Sequence, residues 1–118
     1  MTIDIQNNSI YKVDIEGNRK EHKAISTNFA QIEVLKDGRI LVMEDYHQYT
    51  NDQKSNLYCL NQEIEIEWFL PTGISEEGVD VYVGFSTTEN QVFANTWNCF
   101  RVEINIETRE IISKQFTK

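Results

Sequence analysis

Apolar and polar positions alternate along almost the whole chain. Lys12 and Asp14 separate Tyr11, Val13 and Ile15; Glu65 and Glu67 separate Ile64, Ile66 and Trp68, placing these three on one face; Val79, Val81, Val83 and Phe85 recur at every second place. A period of two marks strands with one face buried, and no window of helical length carries a 3.6-residue period. The chain therefore reads as all-β. Turn residues punctuate the pattern, with Glu16-Gly17-Asn18 before a strand at 20–25, Asp37-Gly38 between 31–36 and 39–44, and Glu107-Thr108-Arg109 between 100–106 and 110–116. Asp-Gly between alternating runs is a strong hairpin signal, because the two-residue turn needs positive φ. Residues 56–61 with 64–69 and 79–85 with 91–97 complete the hairpins, and Pro71 ends one of them because proline cannot donate to a ladder. The expected fold is an antiparallel up-and-down meander of about ten strands.

Three stretches also line up without gaps. They are Ser9-Ile10-Tyr11-Lys12-Val13-Asp14, Asn56-Leu57-Tyr58-Cys59-Leu60-Asn61 and Asn98-Cys99-Phe100-Arg101-Val102-Glu103, starting 47 and 42 residues apart. Each precedes a turn and a second strand, and another hairpin fills each interval, so two four-stranded units follow a leading half-unit. The second stretch, with Trp68, resembles the blade repeat of quinoprotein-type β-propellers, in which a Leu-Tyr-x-Leu-(Asp/Asn) strand is followed by a turn and a strand ending in Trp. The resemblance implies propeller-blade-like units. A closed propeller needs about four to eight blades, and this chain has material for about two and a half, so the units are expected to form a sandwich or partial barrel. The cofactor of quinoproteins is not carried over, and none is expected.

Length and composition set the class. A chain of 118 residues, 40% hydrophobic and 25% charged, is one ordinary globular domain. Cys59 and Cys99 are its only cysteines, and no basic-then-apolar segment opens the chain, which points to reduced thiols in the cytoplasm. Apolar runs such as 40–43 are far too short to cross a membrane. A pI near 4.7 argues against nucleic acid, whose phosphates would repel the protein.

Charge is distributed unevenly. The window 44–80 holds nine acids and one base, Lys54, which equals the whole formal charge of −8. In a meander, successive connections alternate between the two ends of the sheet. The turns at 16–19, 37–38, 62–63, 86–91 and 107–109 are thus expected at one end, and the connections at 26–29, 45–55, 70–78 and 98–99 at the other. The two longest loops would bring Glu44, Asp45, Tyr46, His47, Tyr49 and Asp52 close to Glu76, Glu77 and Asp80, with Glu65 and Glu67 extending the acidic field. Carboxylates interleaved with aromatic anchors suit a basic protein partner, and loops on a rigid scaffold are where binding usually resides.

Catalytic equipment is not apparent in the sequence. His47 has no nucleophile or acid at a recognisable spacing, His22 alternates with charged residues and is expected to be exposed, and Trp68 and Trp97 are expected to pack in the core or at its rim. Asp45, Asp52, Glu76 and Glu77 could hold calcium, but without the acid spacing of a known loop. By size, acidity and lack of catalytic motifs the chain resembles bacterial immunity proteins, which implies a monomeric inhibitor that occludes the active site of a basic, nuclease-type toxin. The alternatives are a propeller-derived module for calcium or a small ligand, and an assembly unit joined through sheet edges.

Overall fold

A computed structural model describes residues 2–6, 8–47, 55–71, 74–75, 78–79 and 81–116. These contain no helix and thirteen strands. Eleven of them form three antiparallel sheets: β1 (Thr2–Gln6), β2 (Ser9–Val13) and β3 (Arg19–Lys23) in the first; β4 (Phe29–Val34), β5 (Ile40–Glu44), β6 (Leu57–Leu60) and β7 (Ile66–Phe69) in the second; β10 (Tyr82–Thr87), β11 (Gln91–Thr96), β12 (Phe100–Asn105) and β13 (Ile111–Phe116) in the third. The short strands β8 (Ile74–Ser75) and β9 (Gly78–Val79) pair only with each other. All five expected hairpins form. The single meander does not, because β3 does not pair with β4 nor β7 with β10. At these points the chain passes to a new layer, which leaves three open sheets and no closed barrel.

The sheets stack face to face in a sandwich-like pile with the second in the middle. Its central strands are buried on both faces, which explains why 40–43 is a continuous apolar run and not an alternating one. Leu41, Met43, Leu57, Cys59 and Trp68 meet Tyr82, Phe85, Val92, Ala94, Val102 and Ile104 of the third sheet. Ile40, Val42, Tyr58 and Leu60 point the other way, toward Ile10 of the first. Full burial of each such aliphatic side chain contributes about 1.5–3 kcal/mol; the interface with the third sheet is apolar, whereas that with the first also buries Lys12 and His22. The outward faces of these two sheets differ: Asp4, Tyr11 and Glu21 share a row on the first sheet, and Asn95, Arg101 and Gln115 share one on the third.

Two side-chain amides, one buried (Asn56) and one half-buried (Gln31), clamp the second sheet to the third. Asn56 donates to the Glu44 and Tyr82 carbonyls (2.7 and 2.9 Å) and accepts from Tyr82 N–H (2.8 Å); Gln31 exchanges both kinds of hydrogen bond with the Phe85 backbone. They satisfy edge-strand groups of β10 that would otherwise be buried without partners.

Three sequence expectations change. Ile64 lies in the left-handed region (φ 53) and a bulge shifts the register between Cys59 and Leu60, so Ile64 and Trp68 enter different cores while Ile66 stays exposed. A β-branched residue in that region costs about 1–2 kcal/mol, offset here by burial of its side chain. A second bulge breaks the alternation of Val83 with Phe85 and leaves Val83 exposed. His22 is the one buried residue of β3, because it faces inward opposite Ile10 and packs on Tyr58.

Candidate functional site

Turns 37–38, 62–63 and 107–109 meet at one end, and residues 26–28, 45–47 and Trp97 at the other, whereas much of the 45–55 and 70–78 connections lies outside the described residues. At the hairpin end, Arg39 is the hub: it pairs with Asp37 (2.8 Å), Glu107 (3.3 Å) and Glu67 (3.8 Å), and Arg109 meets the same Glu67 at 2.7 Å. Lys20 pairs with Glu63 and Lys36 with Glu89. Lys12, nearly buried, donates to the Gln62 carbonyl. Gly38, at φ 93, lets the Asp37 turn close against Gln62, whose side chain lies 3.3 Å from where a Cβ would stand. An open cavity of about 560 Å³ between the second and third sheets lies at this end, beside Leu35, Arg39 and Thr88.

Glu67 belongs to this end and not to the acidic loop end. Two arginines neutralise it, so it does not extend a negative field. Glu65 sits in the same turn, its N–H bound to Asn61 Oδ1, and its charge acts on Lys20.

Glu44 is a further correction. It is fully buried. One carboxylate oxygen accepts from the N–H groups of Ser26 (2.9 Å) and Thr27 (3.0 Å), and the other from Ile25 N–H (2.7 Å) and the Tyr58 hydroxyl (2.6 Å). Three successive backbone amides converging on one oxyanion form an anion nest, here filled by the protein's own side chain. Because the Tyr58 hydroxyl donates to Glu44, its oxygen receives the hydrogen from His22 Nε2 (2.8 Å), which places the His22 proton on Nε2. Burial holds His22 below the ordinary histidine value, and the nearby Glu44 charge opposes that shift. The chain His22–Tyr58–Glu44 ties the first sheet, the second sheet and the connection between them.

Glu44 thereby shapes the loop end without touching its surface. The connection it holds presents Ser26, Thr27 and Asn28; Asp45 N–H donates to the Asn28 carbonyl (2.7 Å) and the Thr27 hydroxyl to the Asp45 carbonyl (2.7 Å). These residues and His47 line a cavity of about 340 Å³. The Asp45 carboxylate accepts from His47 N–H (2.8 Å), an Asx turn that fixes the Tyr46 backbone between them. The Tyr46 ring packs on His47 (centroids 4.3 Å apart) and on Trp97 (5.3 Å). Trp97 is 61% exposed, a large indole at the rim.

Asp45, Tyr46 and His47 are the only described residues of the expected cluster that stand at the surface of this end. Tyr49, Asp52, Glu76, Glu77 and Asp80 lie outside the described residues, as do three of the four calcium candidates. Among the described residues no group of three His, Cys, Asp or Glu side chains is placed to hold a metal. Trp97 and the 26–28 segment were missed as site residues. The parity of the connections already put 26–29 and 98–99 at this end, and that was the signal available.

No curated protein matches the sequence. The family described as a domain of unknown function, DUF7957, matches residues 19–116, from β3 to the end of β13, and the chain belongs to that family.

Proposed function

We propose that the chain is a cytoplasmic, non-catalytic binding protein that docks a basic protein partner at the loop end, in the manner of a bacterial immunity protein occluding the active site of a nuclease-type toxin. One observation carries this reading: an exposed Trp97 packed on Tyr46, beside the Asp45 carboxylate. Indole and phenol rings dominate interface hot spots because they bury large area with few rotors, and a carboxylate at their edge favours a cationic partner. The charge layout supports it, since Asp37, Glu63, Glu67, Glu89 and Glu107 at the hairpin end are each ion-paired with Arg39, Arg109, Lys20 or Lys36. The stacked sheets are read as propeller-blade-like units, with the three repeat stretches on β2, β6 and β12, each the next-to-last strand of its sheet.

The test is capture of partners from cells of the source organism by the wild type, Asp45→Asn and Trp97→Ala, at low and high salt. A basic protein bound by the wild type, weakened in both variants and released by salt is the expected result. Capture unaffected by either substitution overturns the reading.

A further inference from the structure

We infer that the loop end takes an arginine side chain of its partner, stacked on the Tyr46–Trp97 surface and paired with Asp45; this rests on the docking reading above.

The chain contains a filled version of the same constellation. The Arg109 guanidinium lies 5.5 Å from the centroid of the Trp68 ring, and its Nη2 donates to Glu67 at 2.7 Å, so one indole face and the carboxylate of the preceding residue grip a single cation. Arg19 lies over Tyr11 at 3.7 Å and Arg101 over Phe93 at 5.4 Å, so guanidinium on an aromatic face recurs in this molecule. The loop end offers comparable parts in another arrangement: a carboxylate precedes a tyrosine, and the indole comes from a different segment. Asp45 precedes Tyr46, Tyr46 packs on Trp97, and among the described residues no guanidinium or ammonium stacks on either ring.

The local hydrogen-bonding character fits a donor. Among the described residues, the adjoining cavity is lined by a carboxylate, two hydroxyls, an amide and an imidazole, with no lysine or arginine. A guanidinium is planar, lies flat on an aromatic face and still directs N–H groups at a carboxylate in its own plane. An ammonium is a compact, strongly hydrated charge with neither plane nor fork, so it satisfies only one half of the site. Arginine is thereby preferred over lysine.

The experiment titrates the ¹⁵N-labelled full chain with capped Gly-Arg-Gly, Gly-Lys-Gly and Gly-Gln-Gly peptides and follows amide and indole resonances. The arginine peptide should move the Trp97 indole and the amides of Asp45, Tyr46 and His47 and leave the Trp68 indole in place. Trp97→Ala and Asp45→Asn should each weaken that response about fivefold or more, the scale of one lost cation–π or charge-assisted contact. Equal responses to the three peptides, responses centred elsewhere, or no response overturn the inference. If the two variants still lose a captured basic protein while the arginine peptide shows no preference, the docking surface stands and only its arginine specificity falls. If neither measurement depends on Trp97 or Asp45, both are wrong.

Discussion

The Tyr58 hydroxyl donates to the buried Glu44 carboxylate at 2.6 Å, joining the centre of the second sheet to the anchor of the loop end. Replacing Glu44 with Gln keeps the shape but turns one acceptor oxygen into a donor facing backbone N–H groups. Breaking a buried, charge-bearing network in this way costs about 3–5 kcal/mol. Urea unfolding should show a loss in that range for Glu44→Gln. Tyr58→Phe should lose about 1–3 kcal/mol, since it leaves His22 and Glu44 each one partner short.

Stability should fall on mild acidification because of His22. Its folded-state value lies below the ordinary 6.5, so the unfolded chain binds the proton more readily. The contribution is complete above pH 6.5 and is lost as pH falls from there toward the lower folded value. Urea midpoints between pH 7.5 and 5.5 should decline for the wild type and flatten for His22→Gln. As pH falls below the ordinary aspartate value of 3.8 a separate decline is expected from Asp37, which its hydrogen bond from the Arg39 backbone N–H, and then the Arg39 side chain, hold below that value.

The two cysteines should differ sharply in reactivity. Burial pushes the Cys59 thiol up to about 11, whereas Cys99 is exposed. Under a thiol-specific reagent at pH 8, Cys99 should be modified at once and Cys59 only at the rate of global unfolding. Prompt labelling of both in the native protein would contradict the placement of Cys59 in the core.

Arg39 and Arg109 share Glu67 but should not be equally important. The Arg39 side chain is 13% exposed and serves three carboxylates, while that of Arg109 is 47% exposed. Arg109→Ala should cost less than about 1 kcal/mol, the usual worth of an exposed pair. Arg39→Ala should cost more, and the order of their melting temperatures checks this.

The hairpins were legible because each is a local matter of alternation plus turn chemistry, as with Asp37-Gly38. The division into three sheets was not, because whether β3 pairs with β4 depends on layer packing between distant residues. Glu44 misled for a related reason: a carboxylate suggests solvent, yet the unbroken apolar run before it marked a strand buried on both sides, and its last residue is buried with it. Asp45, Tyr46 and His47 followed from loop parity. The same parity applied to 98–99 leads to Trp97, but tryptophan at a strand end reads first as packing. Glu67 was misassigned because alternation gives the face of a strand but not which arginines a neighbouring turn will bring.

The hydrophilic rows on the two outermost sheets set a limit on growth. Laying a second copy flat against either would take Asp4, Glu21 and Arg19, or Arg101 and Gln115, out of water, a cost that only closely matched polar partners would offset, which disfavours a fourth layer. The flat sides are thereby a poorer surface for self-association than the strand edges and the aromatic rim.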